Sequence, residues 1–163
     1  GAAAVSAALA STALLALAAL GAAGVLGWQA ASPAETARHV STGIFATLLV
    51  LLSHSLTMFY LVGKGRAVRD AVREAGLQSD DAARIARVRA PAMRYGMLAV
   101  ALAMVAALTG AASDAGSIPA PAHTAAALVA LAANVYAVFV ELRALARAGA
   151  IVADLERRLH ERG

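Results

Sequence analysis

Cysteine is absent from this chain of 163 residues, and aromatic residues make up only 4% of it. Without cysteine there is no disulfide framework, no thiolate nucleophile, no iron–sulfur cluster and no cysteine-based zinc site. Charged residues are also scarce, at 15%, whereas a soluble domain carries charge on about a quarter of its residues. Hydrophobic residues reach 61% and the mean hydropathy is +0.71. This composition favours a membrane protein that forms one compact bundle.

Charge is missing from four long stretches of the chain, residues 1–34, 40–63, 95–113 and 115–140. A helix needs roughly 20 apolar residues to cross a hydrocarbon core about 30 Å thick, and these stretches meet or approach that length. We therefore predict an all-α membrane protein, a single domain built as an up-and-down bundle of four transmembrane helices. The predicted spans are about 5–28, 40–62, 95–112 and 123–142, with an inner loop at 63–94 and an inner C-terminal tail at 143–163.

The basic residues predict the orientation of this bundle. Thirteen of the fourteen Lys and Arg residues lie in Lys64–Arg94 or Arg143–Arg162, and only Arg38 lies elsewhere. Because clustered Lys and Arg stay on the cytoplasmic side during insertion, both termini are predicted to be cytoplasmic in a bacterial-type inner (plasma) membrane. Glu35 and Asp114 then lie on the outer side. The basic residues flank the spans and form no soluble basic face, which predicts contact with anionic lipid head groups and argues against nucleic acid as a partner.

The ends of the helices carry their own signals. The first stretch lacks the basic segment of a signal peptide, so we predict a span there, and the start at Gly1 in place of methionine predicts a short upstream piece. The run Ser32-Pro33-Ala34-Glu35 predicts a capped helix start after the first span. Apolar residues at helical spacing predict that the second helix extends into the cytoplasm to about Gly76. The fourth helix is likewise predicted to extend as an amphipathic tail.

Histidines occupy matching places in the second and fourth spans. His39 and His123 each begin a span that runs from outside to inside, which predicts equal depth near the outer surface. His54 follows His39 by 15 residues, or about 22 Å along the helix axis, and stays near the same face. Asn134 follows His123 by 11 residues on nearly the same face. Two polar layers are predicted, an outer pair His39–His123 and a deeper pair His54–Asn134.

These layers point to a cofactor between helices. Strongly polar residues inside a span are costly and usually face the bundle interior, and two histidines on facing helices can bind a haem iron axially. We predict haem b at His39 and His123, with room for the porphyrin beside small residues such as Gly43. His54 and Asn134 are further cofactor-binding candidates, as a proton or quinone site, and the alternative is that they only form a hydrogen bond between helices. The predicted function is an electron-transfer subunit that exchanges electrons with quinone or a partner subunit and associates with other membrane subunits or with copies of itself.

Other interpretations stay open. His39 and His123 are also candidate metal ligands, since with Glu35, and with or without Asp114, they offer the N and O ligands that suit zinc. Histidines at span ends can instead bind water or lipid head groups, and the chain is then a cofactor-free structural or accessory subunit of a larger complex. An enzyme acting alone is less expected, because the sequence shows no phosphate-binding loop, no Ser-His-Asp order and no acid–base pair in the span interior.

Overall fold

Four long helices make up the regular structure of the protein in the computed structural model, which describes residues 2–161. They are α1 (Ala2–Gln29), α2 (Pro33–Glu74), α3 (Asp81–Asp114) and α4 (Ala120–His160). Each helix contains an apolar segment long enough to cross a membrane. The all-α class is confirmed, with four candidate membrane-spanning helices.

A capping box begins α2. The Ser32 hydroxyl is the N-cap and accepts from the Glu35 backbone N–H at 3.3 Å. The Glu35 carboxylate in turn accepts from the Ser32 hydroxyl and from the Ala31 backbone N–H, each at 2.9 Å. This reciprocal bonding satisfies N–H groups that a helix start leaves open. The predicted helix start is confirmed, and the Glu35 carboxylate is committed to it.

The helices pack in ring order, each against its two neighbours in the chain, and α1 against α4. The remaining direct contact crosses the diagonal, between α2 and α4. Small side chains allow this close approach, because alanines such as Ala46, Ala99, Ala103, Ala130 and Ala137 are almost fully buried between the helices. Side chains from α2 and α4 can therefore meet along the axis of the bundle.

The predicted inner loop is mostly helical. Charges from Lys64 onward interrupt the apolar run but not α2, which continues to Glu74 and is followed by its C-cap Ala75 and by Gly76, a glycine with a left-handed φ of 59°. The next helix begins only five residues later, at Asp81. Only a short turn therefore separates α2 from α3.

Larger apolar residues and the ion pairs of a buried aspartate hold this inner end together. The apolar cluster comprises Leu61, Val68, Ile85, Leu145, Ile151 and Leu155. Asp81 lies well before the apolar part of α3, is almost fully buried, and pairs with Arg84 at 2.8 Å and with Arg158 near the end of α4. Burial alone would raise the pKa of Asp81, but hydrogen bonds from Ser79, Arg158 and Arg84 outweigh it and hold this pKa below its ordinary value.

Candidate functional site

His39 and His123 meet across the diagonal of the bundle. Their ring centroids are 5.9 Å apart and the ring planes are inclined by 59°. His39 belongs to the first turns of α2 and His123 to the first turn of α4, so two parallel helices present their imidazoles at the same level. The structure thus brings together the two residues of the predicted outer layer.

Each imidazole of this outer pair lies against a glycine of a neighbouring helix. A Cβ atom added to Gly27 of α1 would lie 2.7 Å from Cε1 of His39, and one added to Gly110 of α3 would lie 3.1 Å from Cε1 of His123. Both glycines therefore provide space that the rings use. Gly43, which the sequence suggested as room for a porphyrin, has no atom within 4 Å of its Cβ position.

The hydrogen bonds of the outer pair leave a ring nitrogen with a lone pair that can bind a metal ion. His39 Nδ1 lies 2.9 Å from the Ala23 carbonyl oxygen, which requires Nδ1 to carry the hydrogen and leaves Nε2 with its lone pair. His123 Nδ1 lies 3.5 Å from the Thr109 hydroxyl, at the limit of a hydrogen bond. A metal-binding histidine commonly donates its other ring N–H to a backbone carbonyl in this way.

The separation of the two ring centroids is close to that of two imidazoles bound to one metal ion. A metal–imidazole bond is about 2 Å long, so two imidazoles on opposite sides of one ion place their centroids roughly 6 Å apart. The observed separation of 5.9 Å agrees with that value. Two neutral imidazoles are also the axial donor set of a bis-histidine haem iron.

A three-ligand metal site with Glu35 is not formed. The Glu35 carboxylate caps its own helix, and among residues 2–161 no three His, Asp or Glu side chains gather as a metal site. This part of the metal prediction is wrong because the local capping box binds the carboxylate. Of the predicted metal ligands, the structure brings together only His39 and His123.

The deeper layer is a hydrogen-bonded contact between α2 and α4. His54 Nε2 lies 3.0 Å from Asn134 Oδ1, and both residues are 1% exposed. Asn134 Nδ2 donates to the carbonyl oxygens of Ala130 at 2.8 Å and Ala99 at 3.3 Å. Since the amide hydrogens are used there, Oδ1 is the acceptor that faces His54, and His54 Nε2 carries a hydrogen.

Glu141 completes this layer and was not predicted from the sequence. Its Oε1 lies 2.8 Å from His54 Nδ1, and the residue is 1% exposed. The expectation that the span interior holds no acid–base pair is therefore wrong. One signal was available: Glu141 follows Asn134 by seven residues and so lies on the same face of α4.

The contact between His54 and Glu141 contains one hydrogen. With Nε2 already protonated, either imidazolium donates to carboxylate or the carboxyl group donates to Nδ1, since two bare acceptors would not approach to 2.8 Å. In both forms the pair is neutral as a whole. Gly96 of α3 makes room for it, because a Cβ there would lie 2.8 Å from Glu141 Oε1. Both ring nitrogens of His54 thus have partners inside the bundle, while Glu141 Oε2 is buried and has no partner among residues 2–161.

Comparison with known proteins gives no match that would identify the function of this site. No family model matches the sequence, no curated protein matches it, and no solved structure matches the fold. The choice of function therefore depends on the side chains of the two layers.

Proposed function

We propose that the chain is a haem b-binding membrane subunit that exchanges electrons with quinone or with a partner subunit. The observation that carries the proposal is the separation of 5.9 Å between the His39 and His123 rings, across two parallel helices. His39 and His123 would hold the iron through Nε2, and the Ala23 carbonyl keeps the His39 ring in the required tautomer. Bound haem supplies one-electron chemistry. The bundle would supply the imidazole nitrogens of His39 and His123 and a low-dielectric surrounding.

The proposed placement is a bacterial-type inner membrane with both termini in the cytoplasm. Thirteen of the fourteen Lys and Arg residues support it, because they lie beyond the same ends of the apolar stretches. Electron exchange then takes place near the outer face, where the histidine pair lies, with other membrane subunits or a second copy as partners.

The orientation has a direct test, because the native chain contains no cysteine. Gln78→Cys, in the turn between α2 and α3, is expected to react with an impermeant thiol reagent only from the cytoplasmic side. Ser117→Cys, in the turn between α3 and α4, is expected to react only from the outer side. Both positions are exposed. The reverse pattern of labelling would contradict the proposed topology.

The haem proposal is tested by the visible spectrum of the purified full-length protein. We expect a Soret band that shifts on reduction with dithionite, and the band should be lost in both His39→Ala and His123→Ala, since either variant removes an axial ligand. His160→Ala, at the end of α4, is the matched control and should keep the band. The haem proposal fails if a colourless preparation contains stable, fully helical protein after expression with ample haem supply.

A cofactor-free structural subunit is the second candidate, and one observation favours it. The two imidazoles already have partners in the bundle, the Ala23 carbonyl for His39 and the Thr109 hydroxyl for His123. In that case these hydrogen bonds only join α2 to α1 and α4 to α3. His39→Ala would then lower the stability of a protein that has no haem spectrum.

A further inference from the structure

A groove of about 470 Å³ lies between α2 and α3, near the inner ends of their apolar stretches. Its walls are apolar and flexible, and they include Met58, Phe59, Met93 and Met97. Phe59 is 74% exposed, and no helix of the described chain covers it. Methionine side chains adapt their shape to irregular apolar ligands. The groove is therefore suited to a flexible hydrocarbon chain.

Two arginines without an acidic partner among residues 2–161 lie near the inner end of this groove, but only one of them, Arg66, lines it. Arg89 reaches across from α3, with Nη1 3.4 Å from the Cβ position of Gly65, the residue before Arg66. In the part of the chain that the structure describes, the arginines that form ion pairs are Arg73, Arg84, Arg87, Arg157 and Arg158. The charges of Arg66 and Arg89 are thus available for an external anion.

On α2 and on α3, the same number of residues separates an arginine from a methionine of the groove wall. On α2, Met58 lies eight residues before Arg66, and on the antiparallel α3, Met97 lies eight residues after Arg89. Eight residues correspond to about 12 Å of helix. Each helix therefore places a cation at the inner boundary and an apolar side chain about 12 Å deeper, which matches the polar head and the chain of a lipid.

We propose that this groove binds one anionic phospholipid, with its phosphate at Arg66 and Arg89 and an acyl chain along Met58, Phe59 and Met97. A guanidinium group binds a phosphate through two parallel hydrogen bonds, and basic pockets between helices on the cytoplasmic side suit anionic head groups. The inference depends on the placement in a membrane and is independent of haem. Its failure therefore leaves the haem proposal untouched.

The test is native mass spectrometry of the delipidated full chain with added phosphatidylglycerol or phosphatidylcholine. We expect one phosphatidylglycerol molecule to bind at least about fivefold more tightly than phosphatidylcholine. Arg66→Gln and Arg89→Gln should each weaken this binding by about fivefold, the effect of one basic residue at an anionic lipid surface. Arg69→Gln and Arg147→Gln are matched controls, since both arginines are exposed, lie outside the groove lining and form no ion pair within residues 2–161. They should change the binding by less than about twofold.

A second variant tests the groove without changing any charge. Gly63 lines the groove and has no atom within 4 Å of its Cβ position, so Gly63→Leu can be accommodated and should occupy the space of the acyl chain. We expect it to weaken phosphatidylglycerol binding, whereas Gly149→Leu on α4, also with open space, should not. Equal losses in the groove and control variants would overturn the proposal. So would tight binding of inorganic phosphate that Gly63→Leu does not affect, or a quinone occupying the groove in the purified protein.

Discussion

Gly96→Ala tests the contact between His54 and Glu141 with the smallest possible change. The added Cβ would lie 2.8 Å from Glu141 Oε1 and 3.7 Å from His54 Nδ1. Since a real Cβ does not approach an oxygen that closely, the Glu141 carboxylate must move, and its bond to His54 at 2.8 Å must lengthen or break. The variant therefore removes a buried hydrogen bond without altering any polar residue.

The expected magnitude follows from two opposing terms. Alanine in place of glycine inside a helix stabilises it by about 1 kcal/mol. A buried hydrogen bond to a charged group is worth about 1.5–3 kcal/mol in soluble proteins, but hydrogen bonds between membrane helices average only about 0.6 kcal/mol, with a maximum near 1.7. Gly43→Ala on α2 gains the first term alone, because its Cβ position is open. We expect Gly96→Ala to be less stable than Gly43→Ala by about 1–2 kcal/mol.

Equilibrium unfolding in mixed micelles, followed by circular dichroism, measures this difference. A double-mutant cycle identifies its cause: in a Glu141→Ala background, where no carboxylate remains to be displaced, Gly96→Ala should behave like Gly43→Ala. Equal stabilities of Gly96→Ala and Gly43→Ala in the native background would falsify the reasoning. A loss that persists in the Glu141→Ala background would assign the effect to another contact.

Two further predictions concern the outer pair and the inner ion pair. Under the haem proposal, Gly27→Ala should lower haem retention during purification, because its Cβ would lie 2.7 Å from His39 Cε1. Gly24→Ala, with open space on the same helix, should not, and equal retention would contradict the role given to Gly27. Asp81 has a lowered pKa in the folded protein, so its contribution to stability is fully present above its ordinary pKa of about 3.9 and is lost as the pH falls through the lowered value. The unfolding midpoint of the native protein should therefore exceed that of Asp81→Asn at neutral pH, and this difference should disappear in acid. A difference that stays constant with pH would refute this.

The pairing of His39 with His123 was predictable because depth in a membrane depends on few quantities. The apolar stretches define where each span begins, and a rise of 1.5 Å per residue converts sequence position into depth. Two histidines at the starts of parallel spans therefore lie at one level. Which neighbouring helix provides the space for each ring was not predictable, because Gly27 and Gly110 lie on helices whose rotation only packing determines.

Glu141 was missed for a related reason. It lies two residues before Arg143, so its sequence neighbourhood resembles the boundary of the membrane, where an exposed acid needs no explanation. Its burial depends on Gly96 of α3, whose missing side chain leaves the space that the carboxylate occupies. Neither the charge pattern nor the helical period reports such a contact between helices.

The neutral pair of His54 and Glu141 has a consequence for biogenesis. Membrane helices are stable individually before they associate, and α2 is synthesised before α4. Until α4 arrives, the His54 imidazole has neither of its two partners, since Glu141 and Asn134 both belong to α4. The last helix therefore satisfies a polar group that the earlier helices leave open, and a chain that stops before α4 retains an imidazole without its two partners.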